Sequence, residues 1–243
     1  MPTSAPLFLA FVLKRSEYSN TSLLLELFGD TSGRIAAIAR GARRPHQHTS
    51  ALLQPFQPLW LACRGRGAIQ TLTTIEEVSP PLALHGPALL AGFYLNELLM
   101  RLLARHDPHP ALFVFYQATL AQLAATPELE TPLRHFECHL LAELGYGLTL
   151  ERVVDDGAPI QPTQVYTYVC DCGPCYPSER RHGPLVSGAT LLALAQSAPL
   201  DATQRREART LLRMVLEPYL GGRPLHSREL YRHWFAAHHL HES

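Results

Sequence analysis

The sequence predicts an α+β chain of more than one domain: a small β-barrel, then a helical domain that carries a short irregular insert. Three observations lead there. Five short apolar runs, separated by turn residues, fill the first eighty positions without a long helical period. After Pro80-Pro81 the apolar spacing becomes helical. Between 151 and 187 regular spacing gives way to several prolines, the turn Asp155-Asp156-Gly157 and a tight cysteine group. The expected division is a barrel domain over 1–80 and a helical domain over 81–243, with the insert at 151–187.

Taken in order, the runs are Leu7–Leu13, Leu23–Phe28, Arg34–Arg40, Pro58–Cys63 and Ile69–Ile75. Asp30-Thr31-Ser32-Gly33 is a turn cluster, and so is Arg64-Gly65-Arg66-Gly67. The longer polar segment 41–54 is either a mobile loop or a short helix. Leu89, Leu90, Phe93, Tyr94, Leu98, Leu102 and Leu103 then recur at helical spacing. A second helix is expected over Ala111–Ala125 and a third over Leu133–Leu144, with Gly145 as its stop. Val165–Val169 reads as one strand inside the insert. Helices resume at Ala189–Gln196 and Thr203–Leu220, and Ser227 fits as the N-cap of a last helix through Trp234.

The chain has 243 residues, and 47% are apolar against 17% charged, which suits a buried core and excludes a disordered chain. No apolar run reaches the ~18 residues of a membrane span. The longest candidate, near Ala88–Leu103, is cut by Asn96, Glu97 and Arg101. Positive charge follows the first apolar run instead of preceding it, unlike a signal peptide, so a cytoplasmic chain is expected. Five unevenly placed cysteines do not suggest a disulfide framework.

The net charge of zero conceals an asymmetry. Residues 1–70 carry eight cations against three acids, a net +5; residues 71–204 carry six against fourteen, a net −8; residues 205–243 carry seven against four, a net +3. A basic first unit suggests a polyanionic partner, with ordinary variation of sign between domains as the alternative.

Catalytic motifs are missing. The one lysine, Lys14, follows no glycine-rich loop, so there is no phosphate-binding loop. There is no dinucleotide fingerprint, and Ser187 lacks the setting of a nucleophile elbow. No catalytic residue and no cofactor are expected. His135 and His139 share one helix face, but Phe136 stands where a zinc hydrolase needs glutamate, and a structural role fits better. Cys170, Cys172 and Cys175 could hold zinc if His182 joined them; they could equally be free thiols. The histidines at 238, 239 and 241 are expected to lie in a disordered end.

The basic barrel fits single-stranded nucleic acid, with cations tracking phosphates and aromatic rings stacking on bases. Lys14, Arg34, Arg40, Arg43, Arg44, Arg64 and Arg66 are the candidate phosphate contacts. Phe11, Tyr18, Phe28, Phe56 and Trp60 are the available aromatics; core packing is the stronger expectation for Phe11, Phe28 and Trp60. Arg206, Arg209 and Arg213 share one helix face and form either a second DNA contact or a solvated surface.

A set of stretches then carries a resemblance. They include Tyr18-Ser19-Asn20-Thr21-Ser22-Leu23, Ala39-Arg40-Gly41-Ala42-Arg43, Leu53-Gln54-Pro55-Phe56-Gln57-Pro58-Leu59, Tyr94-Leu95-Asn96-Glu97-Leu98, Leu133-Arg134-His135-Phe136-Glu137, and the run from Pro218 to Leu230. In this order they resemble the RecO family of bacterial recombination mediators. The resemblance implies an N-terminal OB-fold and a C-terminal helical domain. It implies binding of single- and double-stranded DNA, annealing of strands coated by single-strand-binding protein (SSB), and help in loading RecA together with RecR. Many members carry a four-cysteine zinc site; here Leu150–Asp156 stands where one pair would be and holds no cysteine, and Cys172 and Cys175 could match one pair at most, which moves the chain toward the zinc-free members. The family also implies recognition of the acidic SSB tail. Leu133 could line a pocket for its terminal phenylalanine, and Arg134 could take its carboxylate.

Three classes of function remain in view. They are a non-enzymatic DNA mediator, a metal-dependent hydrolase, and a protein-interaction scaffold that binds no DNA. The missing catalytic motifs oppose the second, and the basic first unit opposes the third.

Overall fold

The structure, a computed structural model, describes residues 5–44 and 49–239. Five strands form the barrel: β1 (Phe8–Glu17), β2 (Leu23–Gly29), β3 (Gly33–Ala39), β4 (Leu59–Arg64) and β5 (Ile69–Glu77). They close in the order β1-β2-β3-β5-β4. All neighbours are antiparallel except β3 and β5, which run parallel from Ala36 opposite Ile69 to Ile38 opposite Thr71. Closure is made by β1 on β4, with Phe8 opposite Leu61 and Ala10 opposite Leu59. This is the small closed barrel of the OB type.

Alternation explains the interior. Leu23, Leu25, Leu27, Ile35, Ala37, Leu59 and Leu61 point inward and are buried. The β3–β4 connection contributes as well. After the turn at 41–44, the four-residue helix α1 (Thr49–Leu52) forms, and Ala42 and Leu53 join the same core. Of the two readings of segment 41–54, the short helix is therefore present. Residues 45–48 lie outside the described residues, as does His241.

β1 runs four residues further than its apolar run. Lys14, Arg15, Ser16 and Glu17 pair with Glu26, Leu25, Leu24 and Leu23, past an irregularity after Val12. The turn between β2 and β3 needs Gly33, whose φ is +64°; a Cβ there would lie 2.2 Å from the carbonyl oxygen of Asp107.

Helices α2 (Gly86–Leu102) and α3 (Pro110–Ala125) each start with proline in the first turn. Phe113 and Tyr116 of α3 pack on Phe11 and Phe28 of the barrel's outer face, with centroids 5.3–6.0 Å apart. The three polar residues that interrupt α2's apolar run each have an assigned partner. Asn96 donates to the Leu13 carbonyl at 2.9 Å and accepts from the Tyr116 hydroxyl. Glu97 accepts from the backbone N–H groups of His226 (3.0 Å) and Ser227 (2.9 Å) and from the Ser227 hydroxyl (2.7 Å). Arg101 pairs with Glu97 at 2.9 Å.

Glu97 thus caps the final helix, α7 (His226–His239), from another element. This corrects the N-cap expected at Ser227. That residue lies inside the first turn, and its hydroxyl donates to Glu97 rather than accepting from its own helix. Burial alone would raise the Glu97 carboxyl; the bonds from Ser227 and His226 and the charge of Arg101 outweigh it and hold the group below its ordinary value.

Grouped by packing, the chain forms two compact units. The first runs to Thr126 and resumes at Pro224, so α2, α3 and α7 go with the barrel. The second is Pro127–Arg223. It holds α4 (Glu130–Glu143), α5 (Gly188–Ala195), α6 (Ala202–Leu216) and a sheet ordered β7-β6-β8 from β6 (Val165–Val169), β7 (Gly173–Cys175) and β8 (Leu185–Ser187). Of these three strands, only β6 is legible in the sequence alone. Caps fix the helix starts: Glu128 accepts from the N–H groups of Glu130 and Thr131, Ser187 from Thr190, and Asp201 with Gln204 forms a capping box. No helix among the described residues is long and apolar enough to cross a membrane.

Candidate nucleic-acid interface

Strand register defines a face on the barrel. Ser16, Leu24, Ile38, Thr71 and Arg64 stand side by side across β1, β2, β3, β5 and β4. They are half-buried or exposed, while Leu25 and Ala37, one step along, are buried. Three loops flank this row. At one end lies the β1–β2 turn, residues 18–22, together with the turn after β3, residues 40–44. At the other lies the β4–β5 hairpin with Arg64 and Arg66. In OB barrels the strand 2–3 face and the loops joining strands 1 to 2 and strands 4 to 5 bind oligonucleotides.

The first pair of loops is tied together. The Tyr18 N–H donates to the Ser22 carbonyl at 3.1 Å, and the Arg43 N–H donates to the Thr21 carbonyl at 2.9 Å. The Arg43 guanidinium reaches Glu17 at 2.8 Å and the Ser19 carbonyl at 3.3 Å. Arg44 lies back over Gly41, whose φ is +68°.

The candidate cations then separate into two sets. Lys14, Arg40, Arg44, Arg64 and Arg66 are exposed and make no ion pair among the described residues. Arg34 and Arg43 are engaged internally. Arg34 is half-buried and donates to the Met100 carbonyl. Burial disfavours its charge, Glu26 partly offsets this, and Arg105 adds to it, so its pKa falls below the ordinary value. Arg105 itself pairs with Glu26 and donates to the Ala68 carbonyl at 3.1 Å. The Arg34 end of the β2–β3 face is therefore covered by the chain's own segment after α2.

The aromatics also separate. Phe11 and Phe28 are fully buried and Phe56 is 4% exposed. Trp60 is 39% exposed, which corrects the expectation that it packs in the core. Leu59 and Leu61 face inward, so alternation turns the residue between them outward. Tyr18 is 55% exposed.

In the second unit Arg206, Arg209 and Arg213 are all exposed on α6; Arg209 pairs with Glu130 at 3.1 Å. Leu133 is half-buried. Arg134 is 7% exposed and reaches Glu137, itself fully buried, at 2.9 Å. Among the described residues, no three His, Cys, Asp or Glu side chains gather as a metal ion would need. Cys170, Cys172 and Cys175 differ in exposure along the β6–β7 hairpin, and His182 is exposed. Burial raises the Cys170 and Cys175 thiols above their ordinary value. Ungathered, these donors do not fit a zinc ion among the described residues.

Comparison with known proteins bears on this geometry. Residues 8–81 match the family model "Recombination protein O N terminal", and residues 85–229 match "Recombination protein O C terminal". The chain belongs to the RecO family. A "DNA repair protein RecO" from Nitrosospira multiformis is 46% identical over 224 residues, covering 91% of this chain and 92% of the relative. One from Methylococcus capsulatus is 46% identical over 223 residues, covering 92% and 91%. One from Coxiella burnetii is 44% identical over 223 residues, covering 91% and 95%. The RecO resemblance in the sequence is thereby established, and with it a role in DNA repair and recombination. The barrel followed by helices is the arrangement the resemblance implied.

Sequence reasoning missed the engagement of Arg43 with Glu17 and the cap formed by Glu97. The second had a signal: an acid inside an otherwise apolar helical run needs a buried partner.

Proposed function

We propose that this RecO-family chain is a non-enzymatic recombination mediator. In this reading it binds single- and double-stranded DNA, anneals complementary strands coated by SSB, and assists RecA loading together with RecR. The observation that carries the reading is the set of exposed barrel cations without acidic partners. A cation already paired inside the protein must break that pair to meet a phosphate; Lys14, Arg40, Arg44, Arg64 and Arg66 need not.

Annealing requires no covalent bond to be made or broken in either strand. It requires that two polyanions approach, and a cationic surface lowers that repulsion by replacing condensed counterions. Arg34 and Arg43 hold the shape of this surface. Arg206, Arg209 and Arg213 supply a second basic face on α6, with Arg209 exchanging Glu130 for phosphate. The SSB tail is proposed to meet Leu133 and Arg134, where its carboxylate would compete with Glu137 for the guanidinium.

The test is a titration of labelled single-stranded DNA at two salt concentrations. Affinity falls steeply with salt in the mediator reading, by about 0.7 in log–log slope for each phosphate contact. A protein that binds neither single nor double strands at low salt is the scaffold of the competing reading.

A further inference from the structure

We infer that Tyr18 is a stacking platform for a base of single-stranded DNA, and that Arg43 is the positioning residue that holds its loop. The inference rests on the DNA-binding reading above and adds to it the part of the ligand that is recognised beyond the phosphates.

Four of the six barrel aromatics, Phe8, Phe11, Phe28 and Phe56, are buried, which leaves Trp60 and Tyr18 able to meet a base. Trp60 stands on β4 between Leu9 of β1 and Glu76 of β5. A carboxylate directly opposite repels the phosphates of any strand laid there. Tyr18 has the opposite setting. The second leg of its loop enters β2 at Leu23, opposite Ala39, so Arg40 and Arg44 follow beside it. A strand whose phosphates meet those two arginines brings its bases within reach of the ring.

The loop is built, though its side chain is free. The Tyr18–Ser22 backbone bond closes the turn, and Arg43 ties the turn through Thr21, Ser19 and Glu17. Among the described residues the Tyr18 hydroxyl makes no hydrogen bond. A ring on a fixed backbone loses less freedom when a base covers it than a ring on a loose loop would. Stacking on a phenol face serves every base, which suits a mediator that must act on any sequence. Arg43 has the chemistry of a phosphate ligand, but its guanidinium already has two partners, Glu17 and the Ser19 carbonyl, and they flank Tyr18.

The experiment compares a labelled oligothymidylate with an abasic strand of the same length, which keeps the phosphates and removes the bases. Wild-type protein should prefer the thymidylate. Tyr18→Ala should bind both strands alike, a loss of about fivefold to one-hundredfold on the thymidylate with the salt slope unchanged. Tyr18→Trp should restore the preference. Arg43→Ala should also lose the preference while keeping its salt slope, and Arg43→Lys, which can still pair with Glu17, should regain part of it. A Tyr18→Ala protein that still prefers the thymidylate overturns the stacking assignment. Arg43→Ala with the preference intact and a reduced slope makes Arg43 a phosphate contact and overturns its positioning role. Wild-type protein that binds neither strand overturns the DNA-binding reading itself, a result distinct from the other two.

Discussion

The charges on the barrel face and the charges within the helices are the same kinds of side chain in opposite circumstances. On the barrel, Arg40, Arg44, Arg64 and Arg66 stand in water with no acid beside them. In the helices, Glu97 and the Arg134–Glu137 pair are buried, and their partners lie within the fold. A solvated arginine without a partner contributes little to stability and keeps its capacity for an outside anion. A buried charge is tolerated only because its partner is there, and an outside anion must displace that partner to reach it. Partnership, more than residue type, sets how readily a charged side chain can meet an outside ion.

The sharpest way to break this contrast is at Arg134. Alanine there leaves the Glu137 carboxylate buried without that cation, and the second unit should lose about 3–5 kcal/mol in urea unfolding. Replacing both residues by methionine should cost far less, because no lone charge remains. An Arg134→Ala protein as stable as wild type would place the pair on the side of the solvated charges.

Glu97 offers the next largest effect. Glu97→Ala removes the acceptor for three donors at the start of α7 and should cost about 2 kcal/mol, seen as faster amide exchange along that helix. The pH dependence follows from its lowered pKa. The stability that Glu97 contributes is fully present above its ordinary value of 4.5 and is lost as pH falls through the lower folded value. The difference in stability between wild type and Glu97→Gln should therefore shrink as the pH falls below the ordinary value of 4.5. A difference that is constant across that range counts against the ionised cap.

On the barrel the expectation reverses. Alanine at Arg40, Arg44, Arg64 and Arg66 together should leave unfolding nearly unchanged. The same change should lower the salt slope of DNA binding by about 0.7 for each phosphate that is no longer neutralised. A large loss of stability would mean that these arginines have structural partners after all.

The smallest effect sharpens the same division in the cysteines. Burial pushes Cys63 up to about 11 and Cys138 up to about 12. Cys172, the exposed thiol, should be alkylated first in native protein, with Cys138 reacting only after unfolding. Mass mapping of a time course reads the order directly.

What the sequence reveals of all this depends on how local each cause is. The five barrel strands are legible because alternation and turn residues lie next to each other in the chain. The last four residues of β1 are not, since Lys14–Glu17 is polar and becomes a strand only by pairing with β2. β7 and β8 are three residues each and exist through their pairing with β6. Ser227 reads as an N-cap because serine often is one; the residue that caps α7 lies 130 positions earlier. The cationic character of the barrel is visible in the composition. Which arginines are engaged is not, because Glu17 and Arg43, or Arg34 and Met100, meet only in the folded chain.

The return of α7 to the first unit also sets an order of assembly. Glu97 is synthesised about 130 residues before the N–H groups it accepts from. At roughly 5–20 residues per second, a ribosome takes on the order of ten seconds to reach them. Throughout that interval the first unit lacks its closing helix, and the Glu97 carboxylate lacks the His226 and Ser227 donors. The second unit, whose residues are contiguous, has everything it needs before the first does. The segment begun later can therefore finish folding earlier, and the barrel with its helices is completed only when α7 emerges.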